Sequence, residues 1–233
     1  VEDIGAILAD VQDPATGKTR LFGPTIAGVH TVASVVFEPR ERRVWVGSGR
    51  SPSSRRWFIP FRLGVDEETG DGGPDPTVTP FTPAPGWEDS LHGRAFDLYR
   101  HASHLFHEGE NDERLLIMIE YALALYPQEP NLHVLAGLLA LRIGRGKRSE
   151  GAFRRALENL EEPSRGTEVG IYLAWALDAQ GQRAAAKHIY AKIANDPGAD
   201  DGTRSRARHG KWRRFTTLQA SRLALDFIYA GVP

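Results

Sequence analysis

Three histidines and a carboxylate stand at helical spacing near the middle of the chain: His101, His104 and His107, with Glu108 four residues after His104. A His–Glu pair at i, i+4 shares one helical face and could hold a metal such as zinc. His101 and His107, however, lie about 240° apart around a helix. The set cannot converge on one ion, and a solvated polar stripe is the preferred reading. A second cluster is basic: Arg204, Arg206, Arg208, His209, Lys211, Arg213 and Arg214 surround Trp212, chemistry that suits a phosphate backbone with a stacked base. Asp200 and Asp201 sit just upstream and the net charge is -1. The polar face of a capping helix is therefore preferred, with an acidic partner next. A third group is hydroxylic. Ser34 follows His30 closely, and Ser48, Ser51, Ser53 and Ser54 stand beside Arg55 and Arg56, which suggests a nucleophile or an anion site. No Gly-x-Ser-x-Gly elbow surrounds any of these serines, and Gly47-Ser48-Gly49 points to a flexible surface loop. No residue is assigned a catalytic, cofactor-binding or metal-binding role, and no cofactor is expected.

Composition narrows the classes further. With 233 residues and 41% hydrophobic content, the chain can bury a core in one or two domains. Near-neutral charge argues against bulk electrostatic attraction to nucleic acid or an acidic membrane. No apolar run approaches the roughly 20 residues that span a bilayer, so a soluble, cytoplasmic protein is expected. Cysteine is absent, which removes disulfides, thiolate metal sites and a cysteine nucleophile from these residues. Val1 in place of an initiator methionine suggests processing or an excised fragment.

The elements that would carry these side chains show a repeat. Ser103, Gly137 and Ala174 take one small position per unit, where two helices must touch. Ile119, Phe153 and Tyr190 follow, then Ala122, Ala156 and Ile193, with Gly144 and Gly181 at turns. The first two units are about 34 residues apart and the third is offset by roughly three more, taken up by a loop over 161–166. Leu132, Leu135, Ala136, Leu139 and Ile143, and then Ala152, Phe153, Ala156, Leu157 and Leu160, give each helix one apolar stripe. Such units must stack and be capped. Residues 203–214 are expected to form the cap, and 217–230 a last amphipathic helix with Ala220, Leu223, Ala224, Phe227 and Ile228 inward, stopped by Gly231. With Tyr99, Phe106, Ala122 and Pro127 in the first unit, the pattern over 96–200 resembles the tetratricopeptide repeat. His133 and Gly170 depart from it. The resemblance implies a protein or peptide partner on the repeat face.

Ahead of the repeats, residues 64–90 are dense in Gly, Pro and acids and are expected to be a linker. In 1–63, Ile4, Ile7 and Leu8 suggest a short helix and 13–18 a turn. Residues 31–47 form an expected β-hairpin: Thr31–Phe37, a turn at 38–41, and Arg43–Gly47. Val32 and Val36 point one way and Ala33, Val35 and Phe37 the other, so the strands belong to a larger sheet covered on both faces. Missing strands must then come from elsewhere.

Thr31-Val-Ala-Ser-Val-Val-Phe-Glu-Pro39, then Arg43-Val-Trp-Val-Gly-Ser-Gly49 with Pro52 and Phe58-Ile-Pro-Phe61, resembles the closing hairpin of choloylglycine hydrolases and penicillin acyltransferases, N-terminal-nucleophile hydrolases. The lead-in Val1–Asp10 is similar to theirs. The resemblance implies the edge of a four-layer αββα sandwich and cleavage or transfer of acyl groups at linear amide bonds. It also implies a cysteine nucleophile exposed by self-cleavage. Val1 does not match that nucleophile, and no catalytic residue is carried over.

The expected fold is thus α+β: a short β-hairpin element, the edge of an αββα sandwich, followed by an all-α tetratricopeptide-like helical repeat array over 91–233. Two functions follow. One is the carboxy-terminal part of a linear-amide hydrolase or acyltransferase, its sheet completed by an upstream catalytic segment or a second copy. The other is a non-catalytic repeat adaptor.

Overall fold

The β-branched residues before Glu38 and their return after Arg42 do pair, and a third strand joins them. The computed structural model describes residues 1–14, 17–20, 25–28, 31–64, 73–160 and 162–232, which fall in two compact units, Val1–Gly93 and Arg94–Pro233. The chain is α+β, a three-stranded antiparallel sheet followed by a mostly helical part.

In the first unit β1 (Val35–Glu38), β2 (Arg43–Gly47) and β3 (Phe58–Arg62) lie in the order β1-β2-β3. Val35 faces Val46, and Trp45 faces Val36 on one side and Pro60 on the other. The turn at Pro39–Glu41 is closed by Arg42 at φ 50°. The first strand is shorter than expected: Thr31–Ala33 lie outside the ladder and Val32 is 77% exposed. One missing strand comes from the chain itself. Pro60 is tolerated in β3 because its strand borders irregular chain rather than another strand, and its carbonyl accepts the Asp75 N–H at 2.7 Å.

One face of this sheet buries Val36, Trp45 and Phe58 against Val1, Leu8, Val78 and Phe81. Phe81 stacks on Phe58 at 5.4 Å and meets Trp45 edge-on at 5.2 Å. Helix α1 (Glu2–Leu8) crosses here at Gly5, where a Cβ would stand 2.8 Å from the Phe81 ring. Ile4 and Ile7 are exposed rather than inward. The segment expected to be a linker contributes to this unit over 73–90: Phe58 and Phe81 exchange backbone hydrogen bonds, and Trp87 is buried under the Arg55 guanidinium at 4.0 Å.

The helical part comprises α2 (Leu91–His107), α3 (Asp112–Leu125), α4 (Pro130–Arg142), α5 (Gly146–Asn159), α6 (Pro163–Ala179), α7 (Arg183–Ala194), α8 (Asp201–Trp212) and a single turn, α9 (Thr217–Ala220). Starts are set by side-chain caps from Asn111, Glu129, Asp200 and Thr216 and by Pro130 and Pro163 in first turns. After α2, α4 and α6 the chain reverses at Gly109, Gly144 and Gly181, with φ of 83°, 75° and 82°, conformations that favour glycine. From α3 to α8 each helix packs on the next, and α4 also touches α6, and α6 touches α8. Ile119, Phe153 and Tyr190 are fully buried, as are Ala122, Ala156 and Ala174. Gly137 lets the Phe153 ring lie against the α4 backbone, and Gly210 does the same for Tyr190 on α8. His133 is buried and its Nε2 hydrogen-bonds the Pro127 carbonyl oxygen at 2.8 Å, whereas Pro127 itself is exposed.

The expected last helix is not formed beyond Ala220. Residues 226–231 make a tight turn in which Asp226 and Gly231 exchange backbone hydrogen bonds. Asp226 Oδ1 also accepts the Ile228 and Tyr229 amides, a local competitor that a helix cannot accommodate. Phe227 is buried, while Ala224 and Ile228 are exposed. This turn lies on the first helix of the unit: Phe227 stacks on Phe106 at 4.5 Å and its carbonyl accepts the Tyr99 hydroxyl at 2.8 Å.

Candidate binding surfaces

The histidines and serines read from sequence take local partners. His104 Nε2 lies 3.2 Å from Glu108 Oε1, both exposed, and His101 and His107 are exposed as well. Among the described residues no group of three or more His, Asp and Glu gathers as a metal site. Ser53 and Ser54 are fully buried instead of forming a flexible surface loop, and the Ser34 hydroxyl lies 3.3 Å from that of Ser53. His30 lies outside the described residues. Arg55 donates to the Ala9 carbonyl at 2.6 Å and covers Trp87, and Arg56 pairs with Glu88. These contacts fix both guanidinium groups within the unit. Burial lowers the Arg55 guanidinium to about 10, partly offset by Asp10. His92 is held down to about 4, first by burial and then by the Arg55 charge.

The basic cluster sits on α8 and the strand-like segment after it. Thr203, Ala207 and Gly210 face inward, and Trp212 is 85% exposed. Arg206, His209, Arg213 and Arg214 line a pocket of about 360 Å³ above Trp175, Tyr190 and Phe215. Arg214 Nε is spent on the Asp178 carbonyl at 2.9 Å. Asp178 itself, buried at the end of α6, accepts from Arg183, the Tyr190 hydroxyl and the Phe215 amide. This carboxylate thus ties α6, α7 and the chain after α8 together, which its sequence context did not disclose.

Among the described residues, the other face of the sheet is the more open one. Val35, Val46 and Ile59 form one cross-strand row, and Phe37, Val44 and Phe61 the next. Val35 is 42% and Phe37 64% exposed, and the other four are half-buried. Apolar residues on both faces are therefore observed, but among the described residues the buried cluster lies on the face of Val36, Trp45 and Phe58. The more open rows form a contiguous apolar patch of the kind that marks an interaction surface. At the rim, Asp75 is held well below the usual carboxylate range by hydrogen bonds from Thr77 and by Arg62, and it also pairs with Arg43 at 3.5 Å.

The helical unit offers a second surface, along α2, α4 and α6. Arg165, Glu168 and Tyr172 stand at i, i+3 and i+7 on α6 and meet the chain at 229–232. Their spacing was a usable signal; their target, a stretch whose own pattern reads as the end of a helix, was not. Comparison with known proteins returns nothing: no family model matches the chain, and neither the curated proteins nor the solved structures include a match. Among the described residues no helix is long and apolar enough to cross a membrane.

Proposed function

We propose that the first unit is the closing edge of a larger N-terminal-nucleophile hydrolase domain of αββα type, acting on linear amide bonds, and that the second is a tetratricopeptide-like module that binds a protein or peptide. The observation that carries the reading is the more open apolar face of the sheet. Burying one side chain such as Phe37 is worth roughly 1.5–3 kcal/mol, and a second sheet packed at about 10 Å is the usual cover for such a face. The order of buried small and aromatic positions, Gly137 with Phe153 and Tyr190 with Gly210, supports the repeat assignment. In this reading the nucleophile lies on a preceding cysteine-containing segment, since this chain holds no cysteine.

Expression of the whole reading frame around Val1 tests it. The expected result is a product that cleaves itself before a cysteine and hydrolyses or transfers simple N-acyl groups, while residues 1–233 alone do neither. A frame that starts near Val1, or a full product that neither processes itself nor acts on amides, would leave the second reading. In that reading the chain is a non-catalytic adaptor, favoured by one observation: β3 and residues 74–81 give the hairpin a small core of its own.

A further inference from the structure

The turn at 226–232 is held on the helices in an unusual way. The Tyr99 hydroxyl on α2 donates to the Phe227 carbonyl at 2.8 Å, and Arg165 on α6 donates to the carbonyls of Tyr229 and Ala230. The Val232 amide donates to the Tyr172 hydroxyl, which donates in turn to Glu168. Arg165 is itself steered by Glu168 and by Asn131 of α4. These bonds are directed at main-chain atoms, so they read the shape of a peptide rather than its side chains. Its one large buried side chain is Phe227, against Phe106, and the small Ala230 methyl is buried as well. Gly231 comes so close that a Cβ would lie 3.3 to 3.5 Å from Glu168, Tyr172 and Arg165.

The turn is also self-contained. Asp226 caps it from within, and Ile228 and Tyr229 face solvent. It carries a mark of strain, because Ala230 sits at φ 51°, in the left-handed region that disfavours residues with a Cβ. A segment with one large anchor, main-chain bonds and a strained residue is a ligand in form although it belongs to the same chain.

We infer that Tyr99, Phe106, Arg165 and Tyr172 form a peptide-binding groove, and that residues 226–232 are its resident occupant. A segment of another protein displaces it: one that carries an aromatic side chain followed by a tight turn with a small residue. Binding and release are then coupled, since the partner engages only the fraction of molecules whose groove is open. The inference rests on reading the helical unit as a binding module, and it deepens that reading by naming the face and the peptide.

The test uses the full chain and a fluorescein-labelled synthetic peptide of residues 221–232. Asp226→Ala removes the acceptor of two amides and loosens the resident turn; Ala230→Gly relieves the strained φ and tightens it. Anisotropy is expected to show Asp226→Ala binding the probe roughly tenfold more tightly than the unmodified chain and Ala230→Gly binding it more weakly. Phe227→Ala, which empties the anchor, should behave as Asp226→Ala does, and Tyr99→Phe added to either should weaken the probe again. Hydrogen exchange supplies the independent measurement: the Asp226 and Gly231 amides should open well before those of α4. If they exchange only with α4, the turn is a fixed part of the core and the inference fails, while binding elsewhere on the module stands. If they open early and the probe binds no variant, the groove takes no peptide, and the binding-module reading of this face fails with it.

Discussion

Replacing Gly137 by alanine sets two effects of known size against each other. A Cβ built at 137 stands 2.4 Å from Phe153 Cε1 and 2.7 Å from Cδ1, closer than carbon atoms approach. Phe153 is fully buried and packs near Tyr172 at 5.8 Å, so the ring has no free space into which to swing. Overpacking of this kind costs about 1–3 kcal/mol. Against it, alanine in a helix interior is better than glycine by about 1 kcal/mol. The net expectation is a loss of up to about 2 kcal/mol, and Gly137→Leu, with three further atoms, should lose more. Gly151 on α5 is the internal control, because a Cβ there meets nothing within 4 Å. Gly151→Ala should gain roughly the whole propensity term of about 1 kcal/mol. Urea unfolding followed by circular dichroism, with slopes compared, measures both. Trimming the ring by Phe153→Leu should turn Gly137→Ala from harmful to favourable, a coupling of about 1–2 kcal/mol in a double-mutant cycle. Equal gains from Gly137→Ala and Gly151→Ala, or no coupling to Phe153, would refute the reasoning and the helix register with it.

Further outcomes follow from the two units. His92 is neutral in the fold down to about 4 but titrates near 6.5 when unfolded; the unfolded chain binds the extra proton, so stability should fall as pH drops from about 6.5 to 4, by on the order of 3 kcal/mol. His92→Gln should remove that slope from thermal melts. Phe58→Ala should cost about 3–5 kcal/mol, whereas Phe37→Ser on the more open face should change stability by about 0.5 kcal/mol or less and reduce self-association in sedimentation. Asp178→Ala leaves Arg183 and the Phe215 amide without their buried acceptor and should cost about 3–5 kcal/mol in denaturant melts.

Legibility differed by element, for physical reasons. The helices at 130–142 and 146–159 announce themselves because their apolar residues keep a 3.6-residue period and Gly144 ends the first. Residues 217–230 keep the same period, yet 221–230 are not helical: Asp226 takes two nearby amides for itself, and long-range contacts to Tyr99 and Phe106 decide where Phe227 goes. No local pattern encodes a partner 128 residues away. The third strand was obscured by Pro60, which argues against a central strand and is harmless in β3. The proline-rich stretch at 73–90 looked like a linker because it forms only local turns and reaches order through backbone hydrogen bonds to Phe58 and Pro60 of β3. At the sites, the candidate side chains meet only in pairs, His104 with Glu108 on the surface and Ser34 with Ser53 in the interior, whereas Arg165, Glu168 and Tyr172 stand at helical spacing with nothing in the sequence to name their target.

The contact between Phe227 and α2 also bears on how the helical unit folds. Arrays whose modules touch only their neighbours unfold piecemeal, fraying from whichever end is weaker. The last described turn adds a long-range tie, from α2 to α6, across such an array. Neither α2 nor the turn can then fray without losing that tie, and loop-closure entropy must be met before it is made. The helical unit is therefore expected to melt in one steep transition and to fold more slowly than its short-range helix contacts alone would allow. Loosening the tie should broaden that transition toward stepwise loss of helices.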